Sequence, residues 1–160
     1  MEMEELLKSI RLAIHLESEA ALFYRQAALK TNDALARDIL MRFSQDEEKH
    51  RQMLEYVVEK YYLQSGRFDF PEMKPAPDYG KDKLSPVYSR KLAELADEPD
   101  PVLAAVKKFA EAETKAIYLY RQLAEKNPDE GFSQFFTALA EWEEKHLSAL
   151  EKQAKAFEPA

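Results

Sequence analysis

The sequence predicts an all-α protein, a four-helix bundle made of two antiparallel helix hairpins joined by a long crossover. Three observations predict it. Only 3 of the 160 residues are glycine and none is cysteine, while Ala, Leu, Glu, Lys and Gln, all strong helix formers, abound. Four long stretches place their apolar residues at steps of three and four, the period of an amphipathic helix. Two motifs also recur at one offset. Glu47-Glu48-Lys49-His50 returns as Glu143-Glu144-Lys145-His146, and Glu17 with Tyr24-Arg25-Gln26 returns as Glu113 with Tyr120-Arg121-Gln122, each 96 residues further on. Two different motifs in one register mark an internal duplication, so the second half should repeat the hairpin of the first.

The first helix is expected from about 3 to 30, with Ile10, Ala13, Glu17, Ala20, Tyr24 and Ala27 on one stripe. Thr31-Asn32-Asp33 offers capping residues for a second helix over about 33 to 63. Its stripe is Leu40, Phe43, Glu47, His50, Leu54 and Val57. Region 64–99 is different: Pro71, Pro75, Pro77, Pro86 and Pro99 fall there with Gly66 and Gly80, which interrupts regular helix. Ser85-Pro86 could open a short helix over 90–95. A third helix should begin where Asp100 can cap and Pro101 can take the first helical position, with Val106, Phe109, Glu113, Ala116, Tyr120 and Leu123 inward. Asn127-Pro128-Asp129 ends it, and the fourth runs from near 130 to 156 on Phe132, Phe136, Leu139, Glu143, His146 and Leu150. Short links within each pair make hairpins, and the long middle connection has the length to run back along the bundle. The expected organisation is a single domain, 1–160, with hairpin one at 3–63, the crossover at 64–99 and hairpin two at 100–157.

Composition removes several classes of function. A formal charge of −7, with Lys and Arg dispersed among acids, argues against a nucleic-acid surface. The absence of cysteine excludes disulfides, thiolate metal sites and an iron–sulfur or rubredoxin-type centre on these residues. No apolar run approaches membrane-spanning length. The acidic start, Met1 to Glu5, is no signal peptide. The expectation is a soluble cytoplasmic protein with neither nucleic acid nor membrane as partner.

What remains is an oxygen-rich metal chemistry. Glu17 and Glu113 each lie one heptad from core residues on either side, Ile10 and Tyr24 for one, Val106 and Tyr120 for the other. Glu47 and His50, three residues apart, share a helix face, as do Glu143 and His146. Glu48 to His50 spans roughly opposite faces, so Glu19, Glu48, Glu111 and Glu144 should be solvated, and His15 should lie at the surface. Each buried carboxylate costs several kcal/mol unless compensated. Two divalent cations about 3.5–4 Å apart would neutralise four of them, and one imidazole per ion suits iron or manganese better than zinc. The candidate metal ligands are therefore Glu17, Glu47, His50, Glu113, Glu143 and His146. Tyr24 and Tyr120 are either core aromatics with a hydroxyl to satisfy, or groups that hydrogen-bond a ligand carboxylate or pass an electron. Asp46 stands where it can accept a hydrogen bond and orient His146. Trp142, in register with it, cannot accept one, so the two halves are not equivalent.

These motifs, Glu17 with Tyr24, Glu47-x-x-His50, Glu113 with Tyr120, and Glu143-x-x-His146, resemble the rubrerythrin branch of the ferritin-like superfamily across nearly the whole chain. The resemblance implies a ferritin-like bundle holding two iron ions (Fe2+/Fe3+), with manganese or a mixed pair as the other occupants. It implies a di-iron oxidoreductase that reduces hydrogen peroxide or O2 with electrons from a separate donor such as a rubredoxin-type protein. The alternatives are a ferroxidase or iron-binding module for iron handling, and a di-iron oxidase acting on an organic substrate. A homodimer, with or without exchanged helices, goes with the family. Rubrerythrins often carry a further glutamate one turn after the third-helix ligand; Ala116 stands at that position here. Bacterioferritin-like proteins also place an Asp directly before a Glu-x-x-His glutamate, as Asp46 is placed. For an organic substrate, Phe68, Phe70, Tyr79 and Tyr88 of the crossover would cover an apolar pocket; otherwise they pin the crossover to the bundle.

Overall fold

The computed structural model describes residues 2–30, 34–64, 69–77, 101–127 and 129–157, without the side chains at 35–36, 62, 64, 101–107 and 153–157. Four helices follow in order: α1 (Met3–Lys30), α2 (Ala34–Gln64), α3 (Pro101–Lys126) and α4 (Glu130–Phe157), with no strand among the described residues. Each helix end lies within about a residue of where its stop signals place it. At the start of α4, Asp129 is the cap: its Oδ1 accepts from the Phe132 N–H at 3.1 Å, and its carbonyl accepts from the Ser133 N–H at 3.0 Å. The first turn of α1 carries Glu4 and Glu5, charges that suit the positive end of the helix dipole. The expected caps at Thr31-Asn32-Asp33 and Asp100, the side chain of Val106, the short helix over 90–95, and Phe68, Tyr79 and Tyr88 lie outside the described residues.

Every described stripe residue of α2, α3 and α4 is buried. In α1 the stripe drifts: Ala21 and Ala28 are buried, while Ala20 and Ala27 are only half-buried. The reason is the helical period. Steps of 17, 21, 24 and 28 average close to 3.6 residues, whereas a strict heptad falls behind by about 20° per repeat.

Side-chain pairs fix the directions of the helices. Tyr24 meets Glu113 while Tyr120 meets Glu17, so α1 and α3 run antiparallel. His50 faces Glu143 while His146 faces Glu47, so α2 and α4 do too. Within hairpin one, the Ser44 hydroxyl donates to the Ala21 carbonyl at 2.8 Å, locking α2 against α1. It follows that α2 and α3 point the same way, and the connection between them must return along a bundle about 40 Å long. Residues 69–77 run along part of α4. Phe70 packs edge-on to Phe132 at 4.7 Å, and further up α4 the Trp142 indole N–H donates to the Lys74 carbonyl at 2.9 Å. Gly131 is what lets Phe70 in: a Cβ there would lie 2.8 Å from its ring.

The core falls into two apolar clusters. One gathers Leu6, Ile10, Leu54, Val57, Leu123, Phe132, Phe136 and Leu139; the other gathers Tyr24, Ile39, Leu40, Phe43, Phe109 and Leu150. Full burial of each Leu or Phe contributes about 1.5–3 kcal/mol. That stabilisation holds together the polar belt lying between the two clusters.

Candidate metal centre

The belt consists of side chains the helical spacing turns inward. Glu17 from α1, Glu47 and His50 from α2, Glu113 from α3, and Glu143 and His146 from α4 are each at most 3% exposed. His50 Nδ1 lies 2.8 Å from Glu143 Oε1 and 3.7 Å from both Glu17 Oε2 and Glu47 Oε2. His146 Nδ1 lies 2.6 Å from Glu47 Oε1, 3.4 Å from Glu143 Oε2 and 3.5 Å from Glu113 Oε1. The ligand atoms thus form two groups, Glu17–Glu47–His50–Glu143 and Glu47–Glu113–Glu143–His146, each with its atoms within 4.8 Å of one another. Glu47 and Glu143 belong to both groups, which is the arrangement of carboxylates that bridge two ions.

The belt's electrostatics test whether cations fit. Glu17 Oε2, Glu47 Oε1, both Glu143 oxygens and His50 Nδ1 are buried and crowd one another without a well-directed hydrogen bond. Native interiors rarely leave such groups unmatched. Burial, then the Glu47 and Glu143 charges, push the Glu17 carboxyl well above its ordinary range. Burial, then Glu143 and Glu47, do the same to Glu113. Burial also works to raise Glu143 and Glu47, but the histidines and hydrogen bonds from neighbouring carboxyls outweigh it and leave both lowered. For His50 and His146, burial favours the neutral ring, yet Glu143 for the one and Glu47 for the other hold both well above the usual imidazole range. Without metal, then, burial and mutual repulsion favour protons on Glu17 and Glu113, and the neighbouring carboxylates favour protons on both imidazoles. Two divalent cations would take over that charge balance, so the donor set fits them.

The neighbouring groups hold the ligands in place. The Tyr24 hydroxyl donates to Glu113 Oε1 and the Tyr120 hydroxyl to Glu17 Oε1, each reaching across to the other hairpin's carboxylate. Burial, then those carboxylates, push both phenols well up, so they remain protonated donors. Asp46 Oδ2 lies 3.2 Å from His146 Nε2. A carboxylate only accepts, so Nε2 carries the proton and Nδ1 is the nitrogen left to face the carboxylates. Trp142, in register with Asp46, instead sets its ring edge-on to His50 at 5.3 Å. Ala116 is buried in the first cluster and brings no further carboxylate. His15 lies at the surface beside Glu19, 3.4 Å away, and Glu111 and Glu144 are exposed.

The sequence matches the rubrerythrin family model over residues 8–154, a span that takes in both Glu-x-x-His motifs and all six convergent side chains. The chain belongs to the rubrerythrin family. No curated protein and no solved structure matches it. This rubrerythrin-family bundle has no described helix long and apolar enough to cross a membrane.

Sequence reasoning did not find the Ser44–Ala21 hydrogen bond, the placement of Phe70 over Gly131, or the Trp142–Lys74 bond. The first and third depend on which residues helix pairing and the returning crossover bring together. Gly131, one of only 3 glycines and inside a helix where glycine is unfavourable, was the signal for the second.

Proposed function

We propose that this rubrerythrin-family protein is a di-iron oxidoreductase that reduces hydrogen peroxide with electrons from a separate donor protein. The observation that carries the reading is the buried belt of four glutamates and two histidines in two groups sharing Glu47 and Glu143. Bound iron supplies redox equivalents and Lewis acidity. The chain's residues supply the rest. Glu47 and Glu143, common to both groups, would serve both ions, and Glu17 with His50, and Glu113 with His146, would each hold one. Tyr120 and Tyr24 fix the outer carboxylates by hydrogen bonds, and Asp46 fixes the ring of His146. The two apolar clusters exclude bulk water on either side, which strengthens every charge interaction in the belt. Overall, peroxide takes up two electrons and two protons and leaves as two waters. With no cysteine in the sequence, the electrons come from a partner such as a rubredoxin-type protein. Oxidation of an organic substrate has less support, since the apolar pocket beside Phe70 and Tyr56 touches none of the six residues.

The test is an anaerobic stopped-flow experiment. Protein loaded with two Fe(II) per chain is mixed with peroxide or with O2 while the near-ultraviolet charge-transfer absorption is followed. Faster oxidation by peroxide supports the reading. Faster oxidation by O2 replaces it with ferroxidase or oxidase chemistry, and no absorption change with either oxidant removes it.

A further inference from the structure

Among the described residues, one cavity reaches the centre. A groove of about 710 Å³ between α1 and α2 and a pocket of about 440 Å³ between α2 and the 69–71 segment touch none of the six belt residues. A smaller cavity of about 30 Å³ is lined by Asp46, Lys49, His50, Met53, Met73, Lys74 and Trp142. Its inner wall is the buried imidazole of His50, and exposed Lys49 and Lys74 stand at its outer side. Its volume suffices for about one or two waters. Lys49 and Met53 also line the 440 Å³ pocket, so Met53 stands between that pocket and the cavity at His50.

The surroundings of the other histidine are different. His146 has Asp46 on Nε2, the Phe43 ring at 4.4 Å and the Tyr24 ring at 6.4 Å. On the His50 side the wall is made of parts that can give way. Met53 and Met73 are unbranched, flexible thioethers. Trp142 is tied to the returning segment by one hydrogen bond, to the Lys74 carbonyl. The cavity's wall is almost wholly apolar although Asp46, Lys49 and Lys74 are among its lining residues, so what it admits is set by size.

We propose that this cavity is the access route by which a small molecule of two or three heavy atoms reaches the centre at its His50 side, with Met53 as the constriction and Trp142 as the outer wall. For hydrogen peroxide as the molecule admitted, the assignment rests on the reading of the centre given above. The route itself can be tested without turnover.

The probe is azide. Protein loaded with iron and oxidised by hexacyanoferrate(III), which needs no access to the metal, is mixed with azide, and the azide–iron(III) charge-transfer band is followed. A constriction changes association and dissociation by the same factor and leaves the dissociation constant alone. Met53→Trp is expected to slow both rates by about tenfold or more, and Trp142→Phe, which removes the bond to Lys74, to speed both. Iron stoichiometry should stay at that of the parent protein. Met73→Phe fills the same cavity from the other side and serves if Met53→Trp does not fold. Unchanged azide rates in a fully iron-loaded plugged variant would overturn the route, as would a change in affinity alone. An iron-loaded parent protein that binds no azide also overturns it, while leaving the metal centre standing. Failure to bind iron at all would instead remove the di-iron reading.

Discussion

His50 and His146 stand in register in the duplicated hairpins, and each turns Nδ1 toward shared carboxylates, but their outer faces differ. His146 is backed by Asp46 and packs against the tilted ring of Phe43; His50 meets the edge of Trp142 and a small cavity under the returning segment. The residues in register with these neighbours have diverged: Asp46 answers to Trp142, Phe43 to Leu139 and Met53 to Ala149. Duplication has preserved the convergent side chains and released their surroundings. A symmetric donor set therefore holds two positions with different ring support and different access, and substitutions should separate them.

The largest effects should come from the shared carboxylates. Glu47→Ala or Glu143→Ala removes a donor from both groups, and metal content measured by elemental analysis is expected to fall from two ions per chain toward none. Glu17→Ala and Glu113→Ala each strip one group, so about one ion should remain. Equal losses from all four variants would break the comparison.

Next comes the ring support. Asp46→Ala frees the His146 ring and should weaken one of the two binding steps by about 10–100-fold, with the other little changed. Asp46→Asn keeps an acceptor and should recover part of the loss. Tyr120→Phe and Tyr24→Phe release Glu17 and Glu113 and should each weaken the step opposite to the other. The chain's sole tryptophan, Trp142, provides the signal, because its ring lies 5.3 Å from His50 and 6.4 Å from His146. Its quenching in an anaerobic Co(II) titration reads both steps.

Proton linkage gives a further expectation. In the metal-free protein Glu17, Glu113, His50 and His146 all bind protons more tightly folded than unfolded. Where the native state holds more protons, stability falls as pH rises. Urea melts of the metal-free protein should therefore show declining stability from above the ordinary glutamate range, near 4.5, and a further decline from above the ordinary histidine value of 6.5. Metal-loaded protein should show the reverse through this window, because protons held on these groups compete with the ions. Loading in weak buffer should release protons.

The smallest effect concerns the returning segment. Gly131→Ala forces Phe70 aside, and a cost of about 1–3 kcal/mol is expected in thermal or urea unfolding. Metal content should stay the same. A loss of metal in this variant would mean that the segment shapes the centre itself rather than its approach.

Much of this could be read from the chain because helical period and duplication act together. Glu17, Glu47 and His50 fall on stripes whose other members are apolar, and the register repeats them as Glu113, Glu143 and His146. The same logic placed the helix ends, since Pro101 and Asp129 carry their own local chemistry. Crosswise contacts were not legible. Spacing along α1 puts Tyr24 two turns from Glu17, yet its hydroxyl reaches Glu113, because antiparallel packing of α1 on α3 decides the partner. Nor could periodicity show that Trp142, on a helix otherwise read by its stripe, would tie down a segment with no period of its own.

The belt is expected to hold two ions, with Glu47 and Glu143 serving both. The most direct measurement is anomalous diffraction at the iron edge from crystals grown with Fe(II). Two peaks about 3.5–4 Å apart, between those two carboxylates and each beside one histidine Nδ1, are expected. A single peak, or none within the belt, would contradict it.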